Sequence, residues 1–173
     1  NREAVAEMAL SLLLCAARRV AEGDRMVRGG RWPRLTGTSL KGKTIGIVGT
    51  GVIGRTLTAY LAGFHMTILG YDMFPNAEFE NLGGIYVSLD ELLMRADFIS
   101  IHVPLTEATY HMFDKIAFEK MKKSAIIINT ARGAVVDENA LKNALENGII
   151  AGAGLDVLER EPASDSPLIG LGN

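Results

Sequence analysis

Between Arg2 and Val27 the apolar positions Val5, Met8, Ala9, Leu12, Leu13, Ala16 and Val20 recur at helical spacing, which marks one face of a helix. Leu10, Leu14 and Ala17 fill the gaps, so the middle of this segment is apolar nearly all round. A helix of that kind is usually covered on both sides, and the second cover is expected from another domain or another subunit. The stretch RGGRWPRLTGTSLKGK then reads as a loop, punctuated by Gly29, Gly30, Pro33, Gly37 and Gly42.

From Lys43 onward strand and helix patterns alternate. The strand candidates are TIGIVG, MTILGY, IYV, FISIHV, AIIINT and IIAGAGLDV. Several are continuous apolar runs, as expected of strands covered on both faces. Between them, Ile53, Leu57, Tyr60, Leu61 and Phe64 form a helical stripe that closes near Gly63. Ser88 and Glu91 have capping-box spacing ahead of Leu92 and Leu93. Asp137 is positioned to cap ENALKNALENG, which ends in the helix-stop pair Asn147-Gly148. Such alternation predicts right-handed βαβ units, hence an α/β fold with a parallel sheet and helices on both faces, preceded by an N-terminal helix.

Composition narrows the picture. A length of 173 residues suits one domain with a proper core and would cramp two. A net charge of -2 leaves no basic excess for nucleic acid or an acidic membrane. MALSLLLCAA is too short to span a bilayer and lacks the flanks of a signal peptide. Cys15 is the single cysteine, which excludes an intramolecular disulfide and a cysteine-based zinc site; no metal is expected. The lone thiol fits a reducing compartment such as the cytoplasm. The first residue is not Met and the chain stops at LIGLGN, so residues 1–173 are expected to be one domain of a longer protein.

The chemistry starts at GIVGTGVIGRTLTAY, where Gly49, Gly51 and Gly54 lie between the first strong strand and the helix it feeds. Gly49 permits a tight turn, Gly51 removes a Cβ that would hold a pyrophosphate away, and Gly54 lets the helix approach the strand. N–H groups at the helix start then face the diphosphate. Asp72, eighteen residues after Gly54 at the end of the next strand, is the acid that accepts hydrogen bonds from the adenosine ribose. It also repels a 2′-phosphate: unit charges about 4 Å apart at an effective dielectric of about 20 cost roughly 4 kcal/mol. Residues 73–77, MFPNA, contain no Arg or Lys to reverse this. The features together predict a Rossmann-type doubly wound sheet that binds NAD in preference to NADP.

At FISIHVPLTEATYHMFD, INTARGAVVDENAL and AGAGLDVLEREP the sequence resembles the D-isomer-specific 2-hydroxyacid dehydrogenases, a group that includes phosphoglycerate, D-lactate, glyoxylate and hydroxypyruvate reductases. The resemblance covers nearly the whole chain and matches the cofactor domain, including the AVAEMAL helix before the first strand. It implies that Val52 and Ile53 meet the pyrophosphate, that Asp72 meets the ribose, and that Val103, Pro104 and Thr109 lie along the adenosine half. It implies further that Thr130, Ala131 and Arg132 reach the nicotinamide side, where Asp156 holds the carboxamide. Arg132 and Glu161 match the catalytic arginine and glutamate.

These residue types suit the chemistry. A guanidinium grips both oxygens of a 2-keto acid's carboxylate in a fixed plane and steadies negative charge developing on the carbonyl. Glu161 is implied to orient a histidine and favour its protonated form; the plainer reading is a solvated acid, Glu159 is the neighbouring decoy, and Glu161 is chosen because it directly precedes Pro162. The family's general acid/base histidine lies in a later Pro-His segment, and the chain ends eleven residues after Pro162. His65, His102 and His111 read as structural or solvated. The expected parent is an oxidoreductase, a homodimer through the first helix, acting on a small 2-hydroxy or 2-keto acid, while the chain alone is expected to bind cofactor and turn over little. The competing readings are a non-catalytic NAD-sensing regulator on the same scaffold, another Rossmann enzyme such as a hydrolase with tightly held NAD, and an assembly module.

Overall fold

The computed structural model describes residues 1–32, 34–162 and 165–172; Pro33, one of the loop residues named above, lies outside them. Six strands, β1 (Thr44–Val48), β2 (Thr67–Tyr71), β3 (Gly84–Tyr86), β4 (Phe98–Ile101), β5 (Ile126–Asn129) and β6 (Gly152–Leu155), form one sheet in the order β3-β2-β1-β4-β5-β6. Every neighbouring pair is parallel. The order is that of two βαβαβ halves that meet between β1 and β4.

Consecutive strand residues serve two separate cores, which is why the strands read as unbroken apolar runs. Ile126 and Ile128 of β5 enter one cluster and Ile127 the other; Ile45 and Ile47 of β1 oppose Val48 in the same way. The first cluster is closed by α1 (Arg2–Arg18) and α3 (Val52–Tyr60) through Ala6, Ala9, Leu13 and Leu57. The second is closed by α5 (Leu89–Arg95), α6 (Lys115–Lys120) and α7 (Glu138–Glu146) through Leu92, Leu93, Phe118, Leu141 and Leu145.

The predicted caps form. Ser88 Oγ accepts the Glu91 N–H at 3.2 Å, and Asp137 Oδ1 accepts from Asn139 at 2.9 Å and Ala140 at 3.0 Å. Two boundaries and two short helices differ from the sequence reading. The first helix breaks at Arg19, which is left-handed (φ 54), and resumes as α2 (Val20–Arg28). The cause is long-range: the Thr38 N–H takes the Ala17 carbonyl at 2.7 Å, so the helical ladder stops there. Ile149 and Ile150 belong to the turn that closes α7, both donating to the Ala144 carbonyl, so β6 starts later than its apolar run. Two helices carried too few residues to register as periodic, α4 (Ala77–Asn81) and α6; Asn76 and Asp114 cap them.

His102 follows β4 and extends the ladder by one bond, its N–H donating to the Val48 carbonyl at 2.7 Å. Nε2 lies 2.9 Å from Ser100 Oγ, and Nδ1 is buried without a partner. Burial disfavours the imidazolium and pushes the pKa from 6.5 down to about 4. In that window the unfolded chain binds more protons than the folded one. The stability contributed by neutral His102 is therefore present above pH 6.5 and is lost as pH falls toward about 4. We expect His102→Asn to flatten this part of the pH dependence of the urea midpoint; a slope equal to wild type would assign the acid sensitivity to other groups.

Candidate functional site

A wholly parallel sheet brings all its carboxyl ends to one crest. The connection after β1 makes its turn there at Gly49, whose φ of +95 suits glycine alone. A Cβ at this position would lie 2.7–2.8 Å from backbone atoms of His102 and Val103, so the strand ends on either side of the switch point are in direct contact. A Cβ on Gly54 would overlap the Gly49 carbonyl oxygen and press on Ile47. At Gly51 a Cβ would meet nothing within 4 Å, because the position opens outward. No side chain caps α3, which leaves the N–H groups of its first turn, at Val52 and Ile53, without intrahelical partners.

Asp72, one residue past β2, is tied to the same loop. Oδ2 accepts the Thr50 N–H at 2.7 Å and the Thr50 hydroxyl at 3.2 Å, while Oδ1 accepts the Phe74 N–H at 2.9 Å. A carboxylate offers about four acceptor positions, so Oδ1 retains capacity toward the crest. Arg55 lies in this corner, but its guanidinium bonds the Thr50 carbonyl at 3.1 Å and pairs with Glu78 at 2.9 Å.

Past β4, Val103 and Pro104 run along the crest beside Gly49. Thr109 is joined to them through its side chain. It is buried, and its hydroxyl donates to the Pro104 carbonyl at 2.6 Å and accepts the Thr106 N–H at 2.8 Å. That hydroxyl shapes the loop.

The turn after β5 is clamped by Asn129, a residue not singled out from the sequence. Its Oδ1 accepts the Ala131 N–H and its Nδ2 donates to the Arg132 carbonyl, both at 3.0 Å. The clamp leaves Arg132 exposed, with Nη1 on the Ala131 carbonyl at 2.7 Å. Thr130 is buried and its hydroxyl has no protein partner. Gly133 lets the turn abut the segment beyond β6: a Cβ there would overlap the Leu158 carbonyl and the Glu159 nitrogen. Asp156 leaves β6 with its N–H on the Asn129 carbonyl at 3.0 Å. Glu161 accepts the Leu158 N–H at 3.1 Å. Asp156 and Glu161 border one shallow hollow of about 330 Å³ together with Leu158 and Ile169.

Glu159, the neighbouring acid, is a structural strut. Glu159 Oε1 accepts the Glu138 N–H at 2.9 Å, and Glu138 Oε1 accepts the Glu159 N–H at 2.6 Å, a reciprocal pair that also holds the Ser166 hydroxyl at 2.7 Å. Glu138 is buried. His111 stacks on Tyr110 with ring centroids 4.0 Å apart, and its Nε2 lies 3.2 Å from Glu159, outside hydrogen-bond alignment. Glu138 and Glu159 are 21 residues apart in the chain, beyond the reach of any periodic signal.

The crest suits a dinucleotide. It combines outward-facing N–H groups beside an open Gly51, a carboxylate with acceptor capacity left, and a buried hydroxyl at Thr130 awaiting a partner. A larger hollow of about 460 Å³ flanks the amino ends of β5 and β6, away from these groups. Among the described residues no group of three or more His, Cys, Asp or Glu side chains converges as a metal site would require, and no helix is long and apolar enough to cross a membrane.

Residues 10–173 match the family model described as D-isomer specific 2-hydroxyacid dehydrogenase, NAD binding domain. The chain is 49% identical over 179 residues to a glyoxylate reductase of Korarchaeum cryptofilum, covering 99% of this chain and 54% of that protein. It is 45% identical over 174 residues to a D-3-phosphoglycerate dehydrogenase of Mycobacterium leprae, covering 99% and 33%. The chain thus spans about half the length of the glyoxylate reductases it matches. The structure of D-lactate dehydrogenase from Aquifex aeolicus, complexed with NAD and lactic acid, superposes with a TM-score of 0.89 at 37% identity, over 94% of this chain and 50% of that one. Fold, crest and sequence agree, and the chain belongs to the NAD-binding domains of the D-isomer-specific 2-hydroxyacid dehydrogenases.

Proposed function

We propose that the chain is the cofactor domain of a longer, cytoplasmic oxidoreductase that interconverts a D-2-hydroxy acid and its 2-keto acid. The observation that carries this reading is the contact of two loops at the crest: Gly133 seats the Arg132 turn against the segment that bears Asp156 and Glu161. Bound NADH supplies the hydride. In this reading the Val52 and Ile53 N–H groups hold the pyrophosphate beside Gly49, Gly51 and Gly54, and Asp72 holds the adenosine ribose. Val103, Pro104 and the Thr109 loop border the adenosine half. Thr130, Ala131 and Asp156 orient the nicotinamide.

Arg132 then leaves the Ala131 carbonyl and turns its guanidinium onto the substrate carboxylate and the carbonyl oxygen beside it. A planar fork fits two oxygens where an ammonium cannot. Glu161 faces a histidine outside this chain, orients it and favours its protonated form. The same reading makes the parent a homodimer through the N-terminal helices, where Met8, Val20 and Val27 are exposed, with Trp32 exposed just beyond them. The relatives carry enzyme names, and no observation favours the regulator reading.

The test is turnover of the full-length parent with NADH across a panel of small 2-keto acids, alongside residues 1–173 alone. The parent is expected to be active, and the isolated chain to bind NADH with turnover lower by at least about 10²–10⁴-fold, the usual contribution of general acid–base catalysis. Brisk turnover by the isolated chain would overturn the division of labour. In the parent, Arg132→Lys should lower kcat/KM for keto acid by about 10²-fold or more, as loss of an oriented donor does. Glu161→Gln should shift the pH profile of keto-acid reduction downward, because the histidine loses the carboxylate that favours its charged form; an unmoved profile would remove Glu161 from that role.

A further inference from the structure

We propose that Tyr86 is a positioning residue for the adenosine ribose and, with Thr50, sets the preference for NAD over NADP; the inference rests on the assignment of Asp72 to that ribose. Tyr86 closes the edge strand β3, and its hydroxyl lies 2.6 Å from Thr50 Oγ1 in the glycine loop. The same hydroxyl accepts the Asn76 N–H at 2.8 Å. Thr50 in turn approaches Asp72 Oδ2 with both its hydroxyl and its N–H.

The chemistry of the four groups fixes the direction of every proton. An ionised carboxylate only accepts, so the single Thr50 hydroxyl proton points at Asp72. Thr50 Oγ1 then accepts from Tyr86, and Tyr86 accepts from the Asn76 amide. The result is a one-way chain, Asn76 to Tyr86 to Thr50 to Asp72, in which each donor polarises the next. Its terminus is Oδ2, while Phe74 N–H fixes Oδ1 at 2.9 Å. The carboxylate therefore has one orientation, with its remaining acceptor capacity directed at the crest.

That orientation has opposite consequences for the two cofactors. A ribose hydroxyl finds an acceptor already in place, which lowers the ordering cost of binding. A 2′-phosphate meets a negative group that is held from turning aside. Arg55, the nearby cation, is engaged by Glu78 and the Thr50 carbonyl and offers no relief. The alternative is that Tyr86 only packs, since its ring lies 5.1 Å from that of Phe79. Packing needs the ring and not the hydroxyl, so the two roles separate on one atom.

The experiment measures NADH and NADPH dissociation constants by fluorescence titration for the wild-type chain, Tyr86→Phe, Thr50→Val and Asp72→Asn, with thermal midpoints recorded in parallel. Tyr86→Phe keeps the ring, and Thr50→Val keeps the loop amide. Each is expected to weaken NADH binding about fivefold, the worth of one hydrogen bond, and to leave NADPH binding unchanged or tighter, so that the NADPH/NADH ratio of dissociation constants falls. Asp72→Asn should lower the ratio further. If Asp72→Asn lowers the ratio while both hydroxyl variants keep it at wild type or weaken the two cofactors equally, the relay is refuted and the Asp72 assignment stands. If Asp72→Asn itself leaves both affinities unchanged, the ribose assignment fails and this inference fails with it.

Discussion

The contact between Gly49 and the backbone of His102 and Val103 is the constraint from which the site follows. It is possible because β1 and β4 are hydrogen-bonded neighbours running the same way, and because the chain departs from them in opposite directions. The sheet therefore carries a cleft between departing connections at the one place where its order reverses. Any side chain at Gly49 would force those strand ends apart. The apolar cores on both faces oppose such movement, since Ile45, Ile47 and Val48 are fully buried and leave no slack.

Rigidity at the crest is supplied by polar groups that bond to backbone and not to ligand. Asn129 clamps its own turn, Thr109 closes the loop after β4, and Glu138 with Glu159 staples the start of α7 to the segment beyond β6. Each uses a side chain to satisfy backbone groups that loops otherwise leave open. Among the groups this arrangement leaves free are the first-turn amides of α3, part of Asp72, and the Thr130 hydroxyl. The division is economical, because a loop held by its own hydrogen bonds need not be ordered by cofactor binding.

Much of this was legible in one dimension. Turn-forming glycines, capping residues and apolar runs are local signals, and Ser88, Asp137 and the β5 isoleucines did what their immediate neighbours implied. The misses were also physical. α4 and α6 span 5 and 6 residues, too few turns for a periodic pattern to emerge. The break at Arg19 depends on Thr38, and Glu159 is a strut because Glu138 meets it.

The alternation of strands with the longer helices and the crest glycines with Asp72 were thus legible in the sequence alone, since they rest on spacing between near neighbours and on side-chain chemistry, whereas Arg132 and Glu161 were singled out only by the resemblance of their motifs to the family. Which polar residues face the crest and which are consumed in holding it was decided only by the tertiary structure. Hydrogen bonds such as Tyr86 to Thr50 and Glu138 to Glu159 join positions 36 and 21 residues apart. No local pattern encodes such pairs; they arise when a parallel sheet brings distant strand ends to one edge.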